Sequence, residues 1–501
     1  MAVTGHEFDR RSFLAGVGAV TAAGMATVDD SAEAESERAK DLTVFLGTVL
    51  HFTDDPWVPG AEGEDDPDSY EVFEPGALVV SRGRVLWAGR REQLPRFARR
   101  AQVVDHGNRL IVPGFVDTHI HSAQVDAIAS PGGQLLPWLR DYMYPAEMRF
   151  RDPRYARQTS SFFLDALLAA GTTTASVYTT TYKHSTDALF AEARRRNLRM
   201  VAGKLLMDDG GRSQGGPVPD EYLDRSLAQA EADTRELIRR WHHNGRLRYS
   251  VSPRFALTST VAALKMAGRL YQDSLRTDRP LWSQSHLAEN RDEVDAVMRK
   301  FKGALHPRSY LDVYDKCDLV GPRSVWGHSV WLDDVDRARL AETDAAVAFC
   351  PTSNLFLGSG LFPLNRFGHA GVRVGMGTDV GGGTSYSMLA TMNEAYKVVA
   401  LGNTYPDRIP EDSRATLTAL RSFYLATLGG ARALHMEEDI GSFRPGREAD
   451  FVVLDWAATP VLKRRTEAAS TFRERLFVLA TLGDERAVAR TYILGRPARR
   501  A

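Results

Sequence analysis

The chain has 501 residues, enough for one large domain or two to three ordinary ones. Its 63 basic and 64 acidic side chains leave a net charge of −1, which excludes the overall basic footprint of a nucleic-acid or anionic-membrane binder. It has only two cysteines, Cys317 and Cys350, so a disulfide framework is excluded as well. Cys350 closes the apolar run that starts at Ala345 and reads as a buried structural thiol.

At the start of the chain, Arg10-Arg11-Ser12-Phe13-Leu14 precedes a Gly/Ala-rich stretch and then Ala32-Glu33-Ala34. Twin arginines, a weak apolar region and an A-x-A site in this order resemble a twin-arginine export signal over residues 1–34. Used as such, the signal directs the protein to the periplasm or beyond; unused, it leaves a cytoplasmic protein. Neither this apolar stretch nor any later one is long enough to span a bilayer, so a soluble mature protein is expected.

Residues 41–112 read as short β-rich runs, including Thr43–Leu50, Ala77–Ser81 and Arg84–Gly89, separated by Gly, Pro and acidic residues. The same texture returns within 433–501, at Asp450–Asp455 and Arg490–Pro497. Two β-rich ends predict one small β-sandwich domain built from both termini. Across the intervening 113–432, apolar runs of strand length alternate with helical patterns such as Arg154–Ala170 and Leu227–His243. The strands are expected at Leu110–His121, Thr172–Thr179, Arg199–Met207, Leu247–Arg254, Leu281–His286, Ser324–His328, Ala345–Cys350 and Val372–Asp379. Eight strand–helix repeats are what a parallel (β/α)8 TIM barrel requires, making the chain an α/β protein.

In such barrels the chemistry sits at the C-terminal ends of the strands. Here those ends carry His119 and His121, Arg254 and Phe255, His286, His328 and Asp379. His119 and His121 flank one residue on a strand, so a period of two points both rings to the same side. Three imidazoles and a carboxylate form a donor set for zinc, or less favourably Fe(II): His119, His121, His286 and Asp379. Glu289 follows His286 by three residues and can face the same site as a proton shuttle. His328 is expected to hydrogen-bond the attacking water, and Asp379 to orient it. No lysine that could be carboxylated to bridge two metals falls on the fourth strand, so one metal is expected; Lys204, on the third strand, reads as structural. The glycines around Asp379 lack the GxGxxG spacing and an acidic ribose partner, which excludes a dinucleotide loop.

From about residue 42 onward the chain resembles the guanine deaminases of the amidohydrolase superfamily. The resemblance rests on Pro113–Gln124, Pro253-Arg-Phe255, Ser285–Val294, Phe349–Gly360 and Gly377–Ser387. The turn Gly446-Arg-Glu-Ala-Asp450 is likewise similar to the point where amidohydrolases re-enter their small sheet. The resemblance implies that Gln124 and Arg254 bind the polar edge of a purine, that Phe255 lines or stacks on the ring, and that His286 also borders substrate. An amide and a guanidinium together suit guanine's C6 carbonyl and the adjoining ring N–H. The implied reaction is deamination of guanine to xanthine and ammonia, and the implied assembly is a homodimer. The residues leave open a related amidohydrolase acting on a pterin, a triazine or a modified purine. A catalytically silent scaffold on the same fold would have lost ligands, whereas the full set and Glu289 are present. One departure stands out: after Gly171-Thr-Thr-Thr, where guanine deaminases carry a histidine, this chain has Tyr182, with His184 two residues on. The difference is expected at the mouth of the pocket.

Overall fold

A computed structural model describes residues 41–59, 63–210, 218–405, 414 and 416–498. The export-signal expectation for residues 1–34 lies outside the described residues. Among the described residues, sixteen strands form two sheets. Seven of them come from the chain ends: β1 (Leu42–Phe52), β2 (Tyr70–Ser81), β3 (Arg84–Arg90), β4 (Gln102–Pro113), β14 (Phe451–Leu454), β15 (Val488–Ile493) and β16 (Arg496–Pro497). They pair in the order β16-β15-β14-β4-β1-β2-β3, with Phe451 opposite Pro113 where the two ends meet. Pairing is continuous through this one sheet. β1 and β4 are long and break register near Gly47, so the sheet bends and encloses its own apolar cluster. In that cluster the rings of Phe45, Phe451 and Tyr492 pack at 4.4–5.0 Å.

The remaining strands form the barrel: β5 (Phe115–His121), β6 (Thr172–Tyr178), β7 (Arg199–Gly203), β9 (Arg248–Pro253), β10 (Trp282–Leu287), β11 (Ser324–His328), β12 (Ala346–Phe349) and β13 (Arg373–Met376). All neighbours are parallel, and a two-residue strand, β8 (Leu205–Leu206), pairs with β9. First and last strands are tied by Asp379 N–H to His119 O at 2.9 Å and His121 N–H to Val380 O at 3.0 Å. The helices between strands follow the expected periodicity. That over Pro153–Ala169 is capped by Asp152, whose carboxylate accepts from Arg154 N–H, and it buries Phe163, Leu164, Leu167 and Leu168 against the barrel.

Three expectations change. The single strand expected at Leu110–His121 is two, one in each sheet, broken at Gly114. A Cβ on Gly114 would lie 2.2 Å from Thr173 Oγ1, so only glycine lets the chain pass from sheet to barrel there. The run Arg199–Met207 breaks at Lys204, whose ammonium turns to a buried ion pair with Asp224, in keeping with a structural role. The third change concerns the C-terminal segment, which is not purely β. Between β14 and β15 lie two helices, Pro460–Glu467 and Phe472–Leu482, of which the second packs on the first and on the barrel helix Met388–Gly402. No helix among the described residues is long and apolar enough to cross a membrane.

At the base of the barrel the turn ending at Asp450 docks the sheet. Asp450 accepts from Leu494 N–H at 2.8 Å and pairs with Arg246, while Glu448 pairs with Arg199 at 2.7 Å. The opposite rim is left for the site.

Candidate metal centre and substrate pocket

β5 delivers His119 and His121 from one strand face, β10 delivers His286, and the turn after β13 delivers Asp379. The donor atoms of these four residues lie within 4.8 Å of one another. Asp379 Oδ1 is 3.3 Å from His119 Nε2 and 3.2 Å from His121 Nε2, and His121 Nε2 is 3.1 Å from His286 Nε2. The approach of His119 requires a bare backbone beside it, since a Cβ on Gly327 would sit 2.5 Å from the imidazole Cε1.

The electrostatics suit a cation. His286 Nδ1 lies 2.6 Å from Arg254 O, an acceptor only, so Nδ1 carries the proton and Nε2 turns its lone pair into the site. Burial pushes the imidazole of His121 down to about 4 and lowers those of His119 and His286, keeping all three neutral as metal ligation requires. Burial alone would raise the Asp379 carboxyl. The electrostatic pull of the His119 ring and the close approach of both imidazoles, at 3.3 and 3.2 Å, outweigh that and hold it well below the usual carboxylate range. His119 Nε2 is buried without a hydrogen-bond partner, which a metal at the centre of the four donors would satisfy. The donor set therefore fits a divalent ion of the zinc type. Cys350 lies close by, but burial pushes its thiol far up and it keeps its proton, consistent with a structural thiol.

Glu289 sits in the turn after β10. That turn is set by the Asn290–Glu293 capping box, with Glu293 Oε2 accepting from Glu289 N–H at 2.9 Å. Glu289 Oε1 accepts from Ser359 Oγ at 3.0 Å, and Oε2 is 3.4 Å from His328 Nε2. Burial, then the charge of Asp379, raises its carboxyl to about 8. His328 is further oriented by Asn354 at 2.9 Å and lies 3.7 Å from Asp379 Oδ2, outside the four-donor group. Its backbone is left-handed, φ 69°.

Outside the metal donors, a pocket is walled by Gln124, Arg254, Phe255, Glu289 and His328 and roofed by Leu135, Trp138 and Leu139. Every residue expected to touch substrate thus reaches one cavity. Tyr182 does not line it: its ring packs on His184 and Tyr222, a layer behind the wall, and it opens the helix Lys183–Arg195.

Two site residues, Tyr178 and Glu147, were not singled out by the sequence. Tyr178 ends β6 with its ring 4.7–4.9 Å from those of His119, His121 and His286. Glu147, fully buried, accepts from Gln124 Nε2 at 2.7 Å and from Tyr222 OH at 2.5 Å and forms an ion pair with Arg254. Its only sequence signal is a lone acid in the aromatic stretch Tyr144-Pro-Ala-Glu-Met-Arg-Phe150.

A barrel whose strand ends converge three histidines, an aspartate and a desolvated glutamate on one pocket has the layout of a metal-dependent hydrolase. The chain matches the amidohydrolase family over residues 110–498 and belongs to it. The guanine deaminase of Escherichia coli K12 is 44% identical to it over 439 residues, 86% of this chain and 93% of that protein. Among solved structures, guanine deaminase from Bradyrhizobium japonicum has a TM-score of 0.84 at 35% identity, covering 92% of this chain and 99% of that one. The C. acetobutylicum guanine deaminase with bound guanine has a TM-score of 0.79 at 25% identity, covering 91% and 100%.

Proposed function

We propose that this protein is a guanine deaminase, hydrolysing the C2 amino group of guanine to give xanthine and ammonia with one zinc ion at the four-donor site. The observation that carries the reading is the meeting of Gln124, Arg254 and Phe255 with Glu289 and the donor set in a single pocket. A zinc ion held by His119, His121, His286 and Asp379 would act as a Lewis acid, lowering the pKa of water from about 15.7 to roughly 7.

The chain's own residues supply recognition and proton transfer. Arg254 spends one N–H on Glu147 and keeps further donors for the purine carbonyl. Gln124 receives Gly381 N–H on Oε1 at 3.0 Å, which fixes the amide plane and leaves its second N–H for the same edge. Phe255 gives a flat heterocycle an apolar face. Burial favours the protonated carboxyl of Glu289, which in this scheme begins as an acid and donates to the ring nitrogen beside C2. As water adds to C2, Glu289 takes up a water proton and passes it to the amino nitrogen. The C2–N bond then breaks and ammonia leaves. His328, held by Asn354, stabilises the incoming hydroxyl together with Asp379.

Zinc-loaded protein should form xanthine and ammonia from guanine in equal amounts, and much more slowly from adenine, a pterin or an aminotriazine. Ammonia from one of those rings but not from guanine would overturn the substrate and leave the hydrolytic site standing.

A further inference from the structure

Glu147 has no place in the donor set and no step in the scheme above, yet it is a fully buried carboxylate directly behind the pocket-wall residues Gln124 and Arg254. A buried ion pair is costly to desolvate and is seldom the cheapest way to stabilise a fold. Three donors converge on it: Gln124 Nε2 on Oε1, and Tyr222 OH and Arg254 Nη1 on Oε2. They come from far apart in the chain, after β5, after the run ending at β8, and at the end of β9. Glu147 itself is carried on the short helix Tyr144–Met148, where the Tyr144 ring stacks 5.2 Å from the Arg254 guanidinium. The wide turn Leu139–Met143, just before it, belongs to the segment that roofs the pocket.

Building on the guanine reading, we propose that Glu147 is the positioning residue of substrate recognition. It fixes the Arg254 and Gln124 head groups as one unit and cancels the charge of Arg254, so the pocket reads a neutral carbonyl edge and discriminates against anions.

Two consequences follow. Without the carboxylate, Arg254 and Gln124 lose their common anchor, which weakens ground-state and transition-state binding alike and raises KM more than it lowers kcat. An uncancelled buried guanidinium also attracts anionic ligands, including the deprotonated product.

The test is steady-state kinetics of Glu147→Gln as zinc-loaded holoenzyme, with zinc content and thermal midpoint measured on the same sample. The substitution keeps the shape, but an amide cannot accept from all three donors. KM for guanine should rise about 10- to 100-fold, with kcat falling less than about threefold. Inhibition by xanthine should tighten as pH rises from 6 to 9 in the variant more than in the parent. A folded, zinc-loaded variant with KM within twofold of the parent overturns the proposal, as does a loss confined to kcat. If Glu147→Gln does not fold, Tyr222→Phe removes one of the three donors and leaves the acid. It should raise KM about threefold, and an unchanged KM there is equally fatal. Failure of the parent to deaminate guanine would instead refute the functional reading, so the two failures are distinguishable.

Discussion

Glu289→Gln separates the catalytic use of a buried acid from its cost to the fold. The side chain is buried, accepts from Ser359 and faces His328, and its carboxyl is raised from 4.5 to about 8. Glutamine fits the same space and keeps the Ser359 contact but cannot pass a proton, so kcat should fall by about 10²–10⁴, or roughly 3–5 kcal/mol of barrier. Zinc should still bind, because Glu289 is not among the four donors. Stability should move the other way. An acid whose folded pKa lies above its unfolded value stabilises the fold below the unfolded value, and that contribution is lost as pH rises toward the folded one. Between pH 4.5 and pH 7 the loss at about 1.4 kcal/mol per pH unit reaches about 3 kcal/mol, an order of magnitude that glutamine escapes. Metal-stripped Glu289→Gln should therefore melt higher than the parent at pH 7, with the gain shrinking toward pH 4.5. Ammonia release followed by a coupled assay, and thermal midpoints across pH, check the two halves. Normal turnover would refute the shuttle role; equal midpoints at pH 7 would refute the desolvated carboxyl.

Chelation should abolish ammonia release and lower the thermal midpoint, with zinc restoring both; in His286→Ala the restoration should fail, as read by metal analysis. Arg254→Lys keeps the charge but loses the planar fork, so KM for guanine should rise about 10- to 100-fold, and an unchanged KM would remove Arg254 from the substrate edge. Gly114→Ala places a methyl 2.2 Å from Thr173 Oγ1 and should cost about 1–3 kcal/mol, seen as a midpoint several degrees lower with kcat of the surviving protein intact. Replacing Arg10 and Arg11 by lysine should block export through a twin-arginine route, with cell fractionation as readout; unchanged distribution would count against the signal.

How much was legible in the sequence follows from the range of each interaction. The His119–His121 pair was readable because a period of two is local to a strand, and Glu289 because it stands three residues from a strand-end histidine. Placement at the barrel rim was readable because alternating strands and helices force parallel strands whose ends share one face. The role of Gly114 was not readable, since its constraint comes from Thr173 on the neighbouring strand. Nor was the helical pair Pro460–Glu467 and Phe472–Leu482 inside the C-terminal segment, because the second helix is packed against the barrel helix Met388–Gly402, far away in the chain. The family resemblance placed Tyr182 at the mouth of the pocket, and packing put it behind Tyr222 instead.

By itself, then, the sequence determined the donor types, the glutamate beside them and the barrel that gathers them, because spacing and period act within a few residues. Only the tertiary structure decided what surrounds them. Glu147 meets Arg254 across 107 residues of chain, and the carboxyl of Glu289 is raised because folding strips it of water beside Asp379. Ion pairing and desolvation depend on distance in space and on the exclusion of solvent, and neither exists until the chain has closed around the site.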